Sequence, residues 1–206
     1  MILYFIGMLG TAVFAITGVL ALRRDGIDVF GALVLGVVTA LGGGTVRDLI
    51  IDAPVFWIGD FNYVWVAAAA ALVTFFVARP FESTQKALLY LDGFGAALFA
   101  VAATEKVLGL GFAAPLAVML GVWTSIGGGI ARDVLAKRTN LLMSREIYAT
   151  PILIGCAAYS AMRGHVTDAS VSGLIAVTFI FAIRAYVIQR QLLMPAALST
   201  HRNETS

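Results

Sequence analysis

Residues 36–50 read GVVTALGGGTVRDLI and residues 121–135 read GVWTSIGGGIARDVL. Both carry the pattern T-x-x-GGG-x-x-RD, and the copies stand 85 residues apart. At the same offset Gly10 matches Gly95, Phe14 matches Phe99, Ala15 matches Ala100 and Tyr63 matches Tyr148. Self-similarity at a fixed period marks a repeated supersecondary unit and constrains the whole fold.

The solvent for that unit follows from composition. Hydrophobic residues make up 60% of the 206 residues, charged residues 13%, and the mean hydropathy is +0.93. An ordinary soluble domain is about 45–50% apolar and about 25% charged. A chain of this size has no interior large enough to hide the excess, so it belongs in a membrane. The net charge of +2 excludes binding to nucleic acid through a basic surface. Cys156 is the only cysteine, which allows no intrachain disulfide and no cysteine metal cluster. With His165 and His201 as the only histidines, a fixed structural metal site is not expected. No paired-carboxylate site, Ser-His-Asp set, HExxH or phosphate loop is present, so neither an enzyme nor a cofactor is expected.

A spanning helix needs about 20 mostly apolar residues. Seven segments qualify: about Leu3 to Leu22, Ile27 to Ile51, Tyr63 to Ala78, Ala87 to Leu108, Phe112 to Ala136, Ile147 to Met162, and Ala169 to Ile188. The first lacks a basic leader and reads as a span, not a cleaved signal. The expected fold is therefore all-α and membrane-spanning. Residues 1–84 hold the first three-helix repeat, 85–166 the second, 167–190 a seventh helix and 191–206 a polar tail. Because three is odd, the second unit enters the membrane from the opposite face, the inverted-repeat plan of many transporters.

Charge in the connections agrees with this plan. One side receives Arg23, Arg24, Arg79, Lys86, Arg132, Lys137, Arg138, Arg145, Arg184, Arg190 and Arg202; the other receives Arg47, Lys106 and Arg163. The positive-inside rule then places the N-terminus outside and the C-terminus in the cytoplasm. Asn203-Glu204-Thr205 lies in that cytoplasmic tail and is no glycosylation site.

Three successive glycines weaken a helix by roughly 1 kcal/mol each relative to Ala, which favours a kink or break in the second and fifth spans. A break in lipid must be covered by protein or line a water-filled path. Freed carbonyls there would suit a cation. The alternative is close helix packing through small residues, the better reading for Gly7, Gly10, Gly31 and Gly36. The candidate pathway is Thr39, Gly42, Gly43, Gly44, Arg47 and Asp48 with Thr124, Gly127, Gly128, Gly129, Arg132 and Asp133. Residues three or four apart share a helix face, so each Arg-Asp pair lies under its triplet. The arginines either meet the permeating species or brace the kink. The threonine hydroxyls either face the break or bond back to their own helix.

Asp92 reads as a helix-start residue, with a pathway acid as the alternative; Glu105 and Lys106 are expected at the outer surface. Lys137 and Arg138 are candidates for lipid headgroups. Trp57, Tyr63 and Trp65 read as interfacial anchors, and Trp123 as an interior residue.

The three-plus-three-plus-one arrangement with doubled GGGxxRD resembles the prokaryotic members of the trimeric intracellular cation channel family, from about Leu3 to Ile188. The resemblance implies a homotrimer among membrane lipids with one pore per protomer. It implies monovalent cations, chiefly potassium, with potassium or sodium as permeant species and no cofactor. It places the pore beside the second and fifth helices, bent at Gly42, Gly43 and Gly44 and at Gly127, Gly128 and Gly129. The plain GGG-x-x-RD lacks the basic residue of the phosphoinositide-binding animal motif. Some prokaryotic relatives have been described as glycine transporters, which keeps a secondary transporter of a small solute as the alternative.

Overall fold

A computed structural model describes residues 2–22, 28–77, 85–144, 146–163, 165 and 168–195. Arg23, Arg24, Arg79, Arg145 and the tail with Arg202 and Asn203 lie outside the described residues. The described residues form α1 (Ile2–Ala21), α2 (Val29–Ile50), α3 (Phe56–Gly59), α4 (Asn62–Val77), α5 (Gln85–Gly109), α6 (Ala114–Leu135), α7 (Ala149–Arg163) and α8 (Ala169–Arg190). A 3-10 turn, Leu141–Met143, follows α6. Each of the seven apolar segments contains one long helix. Five of these are long and apolar enough to cross a membrane, while α4 and α7 are shorter, at 16 and 15 residues. The four-residue α3 is an addition that hydropathy does not reveal.

Local chemistry sets the helix ends. Asp28 caps α2 by accepting the Gly31 N–H at 2.7 Å, and Asp168 caps α8 by accepting the Ser170 N–H at 2.8 Å. Pro115 stands in the first turn of α6, where a missing N–H costs nothing. The ends of α2 and α6 are alike. Asp52 and Lys137, also 85 residues apart, both take the left-handed conformation, with φ of 51° and 50°. The next N–H groups, of Ala53 and Arg138, reach back to the carbonyls of Asp48 and Asp133, each at a Schellman closure.

Helices α1 and α5 form the centre. The Phe14 and Phe99 rings stack there with centroids 5.2 Å apart. A Cβ on Gly10 would lie 3.3 Å from Leu98, and one on Gly95 would lie 3.2 Å from Val13, the residue matched to Leu98. Gly36 packs on Ala15, Val19 and Ala71; Gly121 packs on Ala100, Thr104 and Cys156, again the matched positions. Contacts exchanged in this way are what a two-fold relation between units requires. Helix α8 has no counterpart and packs on α5 and α7.

The expected break in the second and fifth spans does not occur: α2 and α6 run as unbroken helices through both triplets. The triplets instead let the two helices cross in backbone contact. A Cβ on Gly43 would collide with the Thr124 carbonyl oxygen, and one on Gly128 with the Thr39 carbonyl oxygen. Contact with the neighbouring helix replaces the stabilisation that side chains would supply, as at small-residue interfaces in membranes generally.

Candidate functional site

The crossing joins two polar clusters, one near each end of the bundle. At the first, Asp48 Oδ1 accepts from Arg47 Nε at 2.8 Å and from Lys106 Nζ at 2.7 Å. Its Oδ2 accepts the Phe56 N–H at 2.9 Å, so Asp48 also fastens the start of α3. The Arg47 guanidinium stands 5.7 Å from the centre of the Phe56 ring. At the second, Asp133 Oδ1 accepts from Arg132 Nε at 2.8 Å, and Oδ2 accepts the Leu141 N–H at 3.3 Å. Leu141 matches Phe56 at the 85-residue offset. Each motif aspartate therefore holds its arginine with one oxygen and the short helical turn that follows with the other.

The ends differ by two exchanges on α5. Where the first repeat has Gly7 the second has Asp92, and where the first has Ala21 the second has Lys106. Asp92 is fully buried; its Oδ1 accepts from Arg132 Nη1 at 2.7 Å and its Oδ2 accepts the Tyr148 hydroxyl at 2.9 Å. In the first repeat a Cβ on Gly7 would sit 3.0 Å from the matched Tyr63 hydroxyl. Thus one helix supplies a cation to one Arg-Asp motif and a carboxylate to the other. Buried charges persist only when paired and hydrogen-bonded; both clusters are paired, and Arg132 Nη2 alone among their nitrogens is buried without an acceptor among the described residues.

Between the ends the interior carries hydroxyls. Thr11, Thr17, Thr39, Thr104, Thr124 and Ser125 are buried. Thr39 and Thr124 donate to the carbonyls of Leu35 and Leu120, both at 2.6 Å, one turn back in their own helices. Such a hydroxyl has spent its proton and presents oxygen lone pairs, which suits a cation. On the outer side of the crossing, α2 and α6 enclose an apolar groove of about 350 Å³. Gly42, Gly43, Arg47, Gly127 and Trp123 are among its lining residues, with Leu142 of the 3-10 turn. Gly44 lies beneath the Phe56 ring, and Gly129 lies beside Asp92 and the Tyr148 hydroxyl.

Several placements correct the expectations. Asp92 is no helix-start residue: α5 begins at Gln85, and Asp92 is an interior acid. Lys106 turns inward to Asp48. Glu105 accepts from Arg163 Nε and from the Tyr159 hydroxyl, both at 2.8 Å, tying α5 to α7. Trp123 is 57% exposed. Successive helical residues differ by about 100°, so with Thr124 inward Trp123 faces out. Arg184, counted above among the connection charges, is fully buried. Arg138 Nη1 donates to the Ala21 carbonyl at 3.2 Å, closing the C-terminus of α1, while Lys137 is exposed. The repeat held the signal for the missed acid: a charge opposite Gly7, beside the matched Tyr63 and Tyr148.

A family profile described as "Glycine transporter" matches residues 4–79 and, at the 85-residue offset, residues 89–164. A UPF0126 membrane protein of Vibrio cholerae is 41% identical over 196 residues, covering 94% of this chain and 82% of the relative. The UPF0126 inner membrane protein YadS of Escherichia coli is 40% identical over 201 residues, covering 95% and 96%. Among solved structures, the trimeric intracellular cation channel orthologue from Rhodobacter sphaeroides superposes with a TM-score of 0.88 at 35% identity, covering 92% of this chain and 98% of that one. These relatives are membrane proteins and channels, not enzymes.

Proposed function

The chain belongs to the trimeric intracellular cation channel family, whose profile carries the description "Glycine transporter", and on that premise we propose that it conducts monovalent cations, chiefly potassium, across a cell membrane. The observation that carries this reading is the near-complete likeness to the Rhodobacter sphaeroides cation channel. The interior agrees with it. Hydroxyls of Thr11, Thr17, Thr39, Thr104, Thr124 and Ser125 are buried among α1, α2, α5 and α6, and each Arg-Asp motif pairs its own charges.

In this reading each protomer holds its own path, from the Arg47-Asp48-Lys106 end to the Arg132-Asp133-Asp92 end. Potassium or sodium passes as permeant species, with no cofactor. Three protomers assemble as a homotrimer among membrane lipids. Large apolar side chains are exposed on α1, α2, α4, α6, α7 and α8 and on none of the described residues of α5, which is central within the protomer. The N-terminus is outside and the C-terminus in the cytoplasm of an inner membrane, with Lys137 free to meet lipid headgroups and Arg138 partly engaged by α1.

The second reading is a secondary transporter of a small solute such as glycine. The family description favours it, and two helices crossing at a glycine contact make a pivot suited to alternating access. Potassium efflux from proteoliposomes, measured beside glycine uptake, separates the two. Downhill potassium flux that is weakened in R47A and R132A supports the channel. Saturable glycine uptake without potassium flux rejects it.

A further inference from the structure

Five buried side-chain polar atoms lack a partner among the described residues, and three of them belong to Arg184 and Glu146, outside the Arg-Asp motif. Arg184 of α8 is fully buried, and its Nε and Nη2 have no acceptor. Its Nη1 donates to the Ile147 carbonyl at 2.9 Å, and its guanidinium lies over the Tyr148 ring at 4.7 Å. Glu146, the residue before Ile147, has a buried Oε2 without a donor. A guanidinium with two idle N–H groups thus stands one residue from an idle carboxylate oxygen. Leaving a buried charged group partly unsatisfied is costly, and adjacent Cα atoms are only about 3.8 Å apart. A turn of the Glu146 side chain, or one bridging water, would give both groups a partner.

The surroundings give that contact a consequence. Tyr148, under Arg184, donates to Asp92, and Asp92 holds Arg132. Behind Glu146, its backbone pairs with Leu193, in the segment that leaves α8. Helix α8 is outside the repeat, and the first-repeat position matching Glu146 is the exposed Phe61. Among the described residues, the first-repeat end has no such arrangement.

We propose that Arg184 is a positioning residue with Glu146 as its counter-charge, and that this pair lets α8 and the segment after it set the hold of Tyr148 on the Asp92-Arg132 cluster. The proposal deepens the ion-path reading above and rests on it for its effect on flux, but the pair itself is independent of what is transported.

The test uses full-length protein in proteoliposomes and in detergent. In E146Q, a conservative change at a partly exposed residue, the melting temperature is expected to fall and the potassium efflux rate to change at least threefold. R184Q is expected to be less stable than E146Q. The double variant R184Q/E146Q should be no worse than R184Q alone, and the exchanged pair R184E/E146R should regain at least half of the lost melting temperature. Additive losses with no regain on exchange overturn the pair. If R184Q does not fold, R184K replaces it: E146Q should then cost less stability in the R184K background than in wild type, and an equal cost overturns the pair. Non-additive stability with an unchanged efflux rate in E146Q overturns the positioning role. Wild-type protein that passes no potassium rejects the channel reading, and the stability cycle still decides the pair.

Discussion

Gly42 and Gly43 are neighbours with opposite tolerances. A Cβ on Gly42 meets nothing within 4 Å, whereas one on Gly43 strikes the Thr124 backbone, as one on Gly128 strikes the Thr39 backbone. A backbone carbonyl inside a helix has no rotamer by which to yield. Gly42→Ala is therefore expected to leave the melting temperature unchanged or raise it, since Ala exceeds Gly in helix propensity by about 1 kcal/mol. Gly43→Ala and Gly128→Ala are expected to cost about 3 kcal/mol or more, because overpacking here must push the crossing helices away from each other. Thermal melting of the three variants in one detergent checks this. Equal effects at positions 42 and 43 would show that the helices do not cross at this contact. The same distinction explains why the triplet was readable as a motif but not as individual roles. Its three glycines face a groove, a helix and an aromatic ring respectively, and spacing alone does not say which.

At the scale of the element, the ends of α2 and α6 are built to one plan. Each ends in a Schellman closure whose left-handed residue is not glycine: Asp52 in the first copy and Lys137 in the second. That conformation crowds Cβ against the following carbonyl at a cost of roughly 1 kcal/mol, less for Asp than for Lys. Lys137→Gly is expected to raise the melting temperature by about 2–4 °C and Asp52→Gly by less, read by scanning calorimetry or intrinsic fluorescence. A fall for Lys137→Gly would mean that its side chain holds something worth more than the strain. The closures also aim the chain. They bring Phe56 and Leu141 back to Asp48 and Asp133, so each Arg-Asp motif secures the turn eight residues on. The short α3 escaped the hydropathy reading because a single helical turn has no period to detect.

Over the whole molecule, α5 is the member that breaks symmetry. It lies against α1, α6, α7 and α8 and carries Asp92 toward one motif and Lys106 toward the other. Two halves of one design are thus given ends of opposite added charge by two residues of one helix. The outer helices keep broad apolar faces, among them Phe30, Trp65, Phe76 and Trp123. Purified in mild detergent, the protein is expected to have a protein mass of three times the 21.8 kDa chain, measured by light scattering with the detergent contribution subtracted. A mass of one or two chains would reject the trimer.

Membrane class, the position of the seven apolar segments, the repeat with its period, and the two motifs were all legible in the amino-acid order. These features are written locally, in runs of apolar residues and in identities at a constant offset. It took the packed helices to establish that the triplets cross instead of breaking, that Asp92 and Lys106 turn inward, and that Trp123 turns out. The reason is physical. In lipid the face that meets a neighbouring helix and the face that meets hydrocarbon are both apolar, so helical periodicity does not separate them. The α5 partners of the motif charges lie 40 and 58 residues away along the chain, Asp92 from Arg132 and Lys106 from Asp48, and only the packing of whole helices brings them together.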